Sequence, residues 1–112
     1  MQGVVELPSY LKEAEKLFTE AEREAIAWMV ASDPECGEVI PGTGGFRTVR
    51  VGRAGMGKRG GARVIYILRN ENYPIFLTDA FAKNQKENLT RKELNELARF
   101  ASVLFATYGS RR

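Results

Sequence analysis

The 112-residue chain contains no histidine and a single cysteine, Cys36. The first absence removes the commonest general base and the commonest metal ligand together. The second excludes an intrachain disulfide and a cysteine-based zinc site. A cysteine nucleophile would lack its histidine partner, so Cys36 reads as a structural thiol. Long apolar runs are also missing. The longest, Ala25 to Ala31, is seven residues, too short for a membrane span, and no basic and apolar leader precedes it. The expectation is a cytoplasmic protein with no metal, no cofactor and no membrane contact.

A further absence is local. Residues 39–70 hold no acidic side chain at all, yet carry seven bases: Arg47, Arg50, Arg53, Lys58, Arg59, Arg63 and Arg69. Residues 1–38 are the reverse, with nine acids against three bases. The formal net charge of +3 conceals this division. A span of like charge repels itself unless a polyanion meets it. Six of its seven cations are arginines, whose planar fork suits bidentate phosphate contact. The span is therefore either a nucleic-acid or phosphate surface, or a solvated face that pairs with the acidic N-terminal segment.

What is present divides into elements. At 44% apolar and 28% charged residues, the chain is one domain's worth of folded protein, expected to span 1–112. Residues 2–6 read as a short strand or a lead-in. Tyr10, Leu11, Ala14, Leu17 and Phe18 recur at helical spacing. Thr19 with Glu22 is a capping box that opens a second helix, whose apolar stripe is read as Ala21, Ala25, Trp28 and Met29. Pro34 ends it, so 1–35 forms an acidic helical hairpin. A Gly- and Pro-rich loop covers 36–45. The period then changes to two. Strands are predicted over Phe46–Arg53, Ala62–Arg69 and Tyr73–Lys83, within a β-meander over 46–83. Val64 to Leu68 are apolar on both faces, which marks the middle strand as central. Thr90 with Glu93 is a second capping box, opening a helix over 90–108 whose Leu94, Leu97, Ala98, Ala101, Leu104, Phe105 and Tyr108 share one face. The fold class is α+β: a small antiparallel sheet, a three-stranded meander with a short N-terminal strand as an option, packed against the hairpin and a C-terminal helix.

Two phosphate motifs match in letters and fail in context. Gly52–Lys58 fits G-x-x-x-x-G-K, but Arg59 follows where Ser or Thr should bind magnesium. A strand comes next, so no helix N-terminus faces a phosphate. Gly55–Gly60 fits G-x-G-x-x-G without the strand–turn–helix unit of a dinucleotide site. What remains is a glycine-rich basic loop, 53–61, between two basic strands. It is either an ordinary hairpin loop or one that grips a nucleic-acid backbone.

The strings Pro41-Gly42-Thr43-Gly44-Gly45-Phe46-Arg47, Gly57-Lys58-Arg59-Gly60-Gly61-Ala62-Arg63-Val64-Ile65-Tyr66 and Ala82-Lys83-Asn84 resemble bacterial toxins of the RelE/HigB type, within the RelE/ParE superfamily. The resemblance covers roughly residues 5–105. It implies a small antiparallel sheet with helices on one side. It also implies the activity of a toxin in a type II toxin–antitoxin system: a ribosome-dependent endoribonuclease that cuts messenger RNA in the A site. The implied partners are the 70S ribosome with its 16S RNA, messenger RNA, and a HigA-like antitoxin carrying a helix-turn-helix domain.

Metal-independent RNA cleavage fits a histidine-free chain. The 2′-OH attacks the adjacent phosphate, and cations stabilise the crowded phosphorus. A lysine among other cations can also transfer protons. By the resemblance, Arg63 binds the scissile phosphate, Arg47 is the basic residue after the aromatic of the first long strand, and Lys83 closes the last strand. These three are the candidate catalytic residues. Lys58, Arg59, Arg50 and Arg53 are the candidate RNA-binding residues. Arg47, Lys58, Arg59, Arg63 and Lys83 are expected to converge on one concave side of the sheet. The tyrosine of the RelE type has no counterpart, since Asn84, Gln85 and Asn88 occupy that region, and Tyr66 is expected to pack within the sheet. The acid and base stay unassigned. Two other readings remain: a non-catalytic RNA- or ribosome-binding module, and a ParE-like toxin acting on gyrase.

Overall fold

The computed structural model describes residues 2–52, 61–83 and 89–109. Of the three helices among the described residues, two open where the capping boxes place them. The first helix, α1, spans Pro8–Leu17, with proline in the first turn, where its missing N–H costs nothing. The second, α2, spans Glu20–Ser32. Glu22 N–H donates to Thr19 Oγ1 at 3.1 Å, and Thr19 N–H donates to the Glu22 carboxylate at 2.8 Å. The same reciprocal pair joins Thr90 and Glu93 at the start of α3, Arg91–Gly109. None of these helices is long and apolar enough to cross a membrane.

Among the described residues five strands form one sheet: β1 Val4–Glu6, β2 Glu38–Val39, β3 Phe46–Val51, β4 Ala62–Ile67 and β5 Ile75–Ala82, in the order β1-β5-β4-β3-β2. The meander β3-β4-β5 is antiparallel, as the sequence predicts. β1 adds to it in parallel beside β5, and the two-residue β2 adds beyond β3. β2 falls inside the Gly- and Pro-rich 36–45 loop, where two residues carry no periodicity to mark a strand.

β4 has two apolar faces and needs cover on both. Ala62, Val64 and Tyr66 join Tyr10, Ala14, Phe18, Ile26 and Val30 of the α1–α2 side in one core. Ile65 and Ile67 join Phe46, Phe76, Ala101 and Phe105 in a second. The helices therefore lie on both faces of the sheet, with α3 opposite α1 and α2. This corrects the one-sided arrangement implied by the resemblance. An aromatic cluster holds the C-terminal half of α3, with Tyr73 edge-on to Phe105 at 5.0 Å between centroids and Phe76 edge-on to Tyr108 at 5.7 Å.

A bulge in β5 sets the side-chain parity. Ile65 pairs with Asp79 and Tyr66 with Leu77, so Thr78 is the extra residue. Its hydroxyl donates to the Ile65 carbonyl at 3.2 Å. Phe76 and Phe81, five residues apart, both pack with the α3 side because of that insertion.

The expected stripe of α2 is wrong. Ile26, Val30 and Ala31 are buried, whereas Ala21, Ala25 and Trp28 are exposed, Trp28 by 64%. Two stripes compete on this helix, and the one with the branched aliphatics Ile26 and Val30 faces the sheet. Arg23, on its flank, meets Glu6 of β1 at 3.5 Å.

Tyr10 is fully buried, and its hydroxyl has no hydrogen-bond partner among the described residues. Burial pushes its pKa up to about 12, with the Glu6 charge adding to the rise and Arg23 opposing it. The neutral phenol belongs to the folded state. Its contribution to stability is present below pH 10, the ordinary value, and is lost as pH climbs toward about 12. Denaturant titrations should show Tyr10→Phe flattening this alkaline loss. At pH 7 the variant should match or exceed the parent, because a hydroxyl without a partner is removed. An unchanged alkaline slope in Tyr10→Phe contradicts the assignment.

Candidate functional site

Cross-strand partners share a face of the sheet, so the register decides which cations meet. Arg50 of β3 lies directly opposite Arg63 of β4, and Arg63 lies opposite Phe81 of β5. All three stand on the α3 side. Thr48, two residues from Arg50, shares that face and pairs with Ile65. Lys83 follows the end of β5. Its N–H donates to the Gly61 carbonyl at 3.1 Å, continuing the ladder by one pair. Its register position is two beyond Phe81, on the face of Arg63. This backbone register is the one that the shared-side expectation requires.

Arg63 borders a recess of about 280 Å³ between the sheet and the start of α3. The recess is lined by Ile40, Thr48, Arg63, Ile65, Phe81, Leu89 and Leu94. Its walls are apolar apart from the Thr48 hydroxyl and the guanidinium. Arg63 Nη1 donates to Thr48 Oγ1 at 3.5 Å, the outer limit of a hydrogen bond. Its Nε–H is buried and has no partner among the described residues. A cation held in a low-dielectric recess with an unused donor acts strongly on any anion that enters. Like charges directly opposite each other destabilise a sheet by roughly 0.2–1 kcal/mol. Arg50 and Arg63 are such a pair in the register, and Asp79 of β5, the partner of Ile65, shares their face.

Arg47 is not part of this arrangement. It pairs with Tyr66, which belongs to the α1–α2 core, so it stands on the opposite face from Arg63. Its Nη1 donates to the Gly37 carbonyl at 2.8 Å and the Glu35 carbonyl at 3.3 Å. Beside it, the buried Tyr66 hydroxyl donates to the Pro34 carbonyl and accepts from the Gly37 N–H, each at 2.8 Å. Burial first, and then the contact with Cys36, hold this phenol well above the ordinary tyrosine range. A Cβ on Gly37 would sit 2.8 Å from the same hydroxyl, so glycine is required by close approach. Arg47 and Tyr66 thus pin the segment after α2 to the sheet, and the five-residue convergence fails at Arg47. The signal was in the sequence: Arg47 and Arg50 are three residues apart on one strand, so they face opposite ways.

Arg53, Lys58 and Arg59 lie outside the described residues. Thr48, Ile40, Phe81, Leu89 and Leu94 line the recess without any sequence motif that marks them. Of these, Thr48 was within reach of the alternation Phe46-Thr48-Arg50. Ile40 and Leu89 come from loops, whose packing no periodicity reveals. The Pro41–Gly45 string shapes the first of these loops. Thr43 is fully buried and its hydroxyl donates to the Ile40 carbonyl at 2.6 Å. Gly45 has φ +116, and a Cβ there would meet the Leu68 carbonyl oxygen at 2.8 Å.

The architecture is similar to a solved structure of an E. coli RelE toxin, an arginine-to-alanine double mutant in the free state. The TM-score is 0.57 at 18% identity, over 89% of this chain and 96% of that one. At that identity the likeness is one of fold. The family relation comes from residues 41–111, which match the model for the RelE toxin of the RelE/RelB toxin–antitoxin system. That stretch is well over half of the chain and contains β3, β4, β5 and α3 with the Arg63 recess between them; the chain belongs to the RelE toxin family.

Proposed function

We propose that this toxin is an endoribonuclease of the HigB branch, cutting messenger RNA in the ribosomal A site without a metal ion. All of 1–112 acts as one toxin domain in the cytoplasm. The observation that carries the reading is the Arg50–Arg63 pair, with the buried Nε–H of Arg63, without a partner among the described residues, at the recess. A scissile phosphate placed there bonds to that donor and offsets the repulsion between the two arginines. The RNA 2′-oxygen then attacks phosphorus, and the bond from phosphorus to the 5′-oxygen breaks. The products are a 2′,3′-cyclic phosphate and a free 5′-hydroxyl. Charge on the non-bridging oxygens grows in the transition state, and Arg63 and Lys83 are the cations suited to meet it. Lys58, Arg59 and Arg53 are proposed to hold the RNA backbone on either side. Arg47 is proposed as a positioning residue for the 34–37 segment, with no contact to RNA. A HigA-like antitoxin with a helix-turn-helix domain is the proposed inhibitor. It need only exclude the toxin from the A site.

Ribosome dependence is tested with purified protein and messenger RNA, with and without translating ribosomes. Cleavage only in the presence of ribosomes is expected. Equal cleavage in both tubes points to a free ribonuclease, and none in either to a binding module.

Two substitutions should separate the faces of the sheet. Arg63→Ala should lower the single-turnover rate on ribosomes about 10²–10³-fold. It should leave the melting temperature unchanged or slightly raised, since a like-charge pair is relieved. Arg47→Ala should do the opposite, costing about 1 kcal/mol of stability through its lost bonds to the Glu35 and Gly37 carbonyls, while cleavage measured well below the melting temperature stays within a few-fold of the parent. Loss of cleavage in a fully folded Arg47→Ala protein would return Arg47 to the catalytic set.

A further inference from the structure

Trp28 is the chain's only tryptophan, and the fold leaves it 64% exposed on α2. It stands on a groove of about 470 Å³ lined by Val4 and Glu6 of β1 and by the α2 stripe of Glu20, Arg23, Glu24, Ala27, Trp28 and Ala31. The floor of the groove is a sheet edge. Among the described residues β1 is the last strand on its side, and its bonds to β5 run through Gly3 O and Leu7 N–H. In a parallel ladder alternate residues point to the same neighbour. The main-chain groups of Val4 and Glu6 therefore point outward, toward the free edge. Val5, between them, is 38% exposed on the other face. Three carboxylates line the groove against one guanidinium, and that one is already engaged by Glu6 at 3.5 Å. From Glu20 to Ala31 the α2 wall rises about 17 Å at 1.5 Å per residue. That length takes about five residues of extended chain.

We infer that the β1–α2 groove is a docking site for an extended, basic segment of a partner protein, which adds to the sheet beside β1 and covers Trp28. The open edge supplies main-chain pairing, Trp28 an apolar anchor, and Glu20 and Glu24 the charge that selects lysine or arginine. The chemistry is opposite to that of the Arg63 recess, which selects an anion. None of the groove residues lines that recess, so the inference stands apart from the RNA reading.

The probe is an acetylated and amidated octapeptide of alternating lysine and valine, titrated into the full chain while Trp28 emission is followed. The control peptide alternates glutamate and valine. A saturable blue shift with the basic peptide alone is expected. Val4→Pro removes an outward N–H, which an edge strand tolerates, together with part of the Val4 packing on the α1–α2 core; it should weaken binding about five- to tenfold in a protein that still folds, with a lowered melting temperature. Should that variant fail to fold, Glu20→Lys with Glu24→Lys must weaken binding at least as much. An equal response to the acidic peptide, no saturable shift, or unaltered affinity in a folded Val4→Pro protein each overturns the proposal. So does a blue shift that grows with protein concentration alone and vanishes in Val4→Pro, since the occupant is then a second copy of this chain. RNA cleavage by Val4→Pro should equal that of the parent whether or not the groove binds.

Discussion

The register of β4 against its two neighbours is the constraint on which the rest depends. Val64 stands between Val49 and Ala80, and Arg63 between Arg50 and Phe81. A slip of one residue would exchange the two faces of the strand. It would drive Arg63 into the α1–α2 core and bring Val64 to the recess. The register is fixed because both faces of β4 are covered: a helix on either side rejects the alternative. The bulge at Thr78 then returns Phe81 to the α3 side after Phe76, which walls the recess beside Arg63.

The basic span is put to two uses. Of its described cations, Arg47 is tied to the carbonyls of Glu35 and Gly37, and the Arg69 guanidinium lies 4.7 Å from the centre of the Phe105 ring. Both are satisfied within the fold. Arg50 and Arg63 are set opposite each other instead, on the face that also carries Asp79 of β5. The fold tolerates that repulsion because burial on both sides of β4 outweighs it by a wide margin. The proposed anion site is thus a place of like charge, held by the core on both sides of β4.

Much of this architecture is legible in the chain. The two Thr–Glu capping boxes give the starts of α2 and α3 because the reciprocal bonds involve only local residues. Alternation gives β3 to within two residues of its end. The apolar run in β4 also states that both faces need cover, a stronger signal than the one-sided arrangement taken from the family resemblance. Other features depend on contacts distant in sequence. The orientation of α2 turns on a competition between Ile26–Val30 and Ala21–Trp28, and tryptophan's size misleads there, since bulk alone does not place a side chain in a core. At the site, Arg63 and Lys83 were found to share a face by strand parity, and the same parity separates Arg47 from Arg50. The recess walls contributed by Ile40 and Leu89 follow from loop packing, to which periodicity is blind.

The central claim is that RNA phosphate is met on the α3 face and not on the α1–α2 face. The most direct measurement follows the arginine side-chain N–H signals by nitrogen-15 NMR. An RNA trinucleotide, methylated at the 2′-oxygen so that it resists cleavage, is titrated into the labelled protein. The account expects the Arg63 Nε–H signal to shift and to gain protection from solvent exchange, with Arg50 following, while Arg47 stays in place. Movement of Arg47 with Arg63 unperturbed would contradict it.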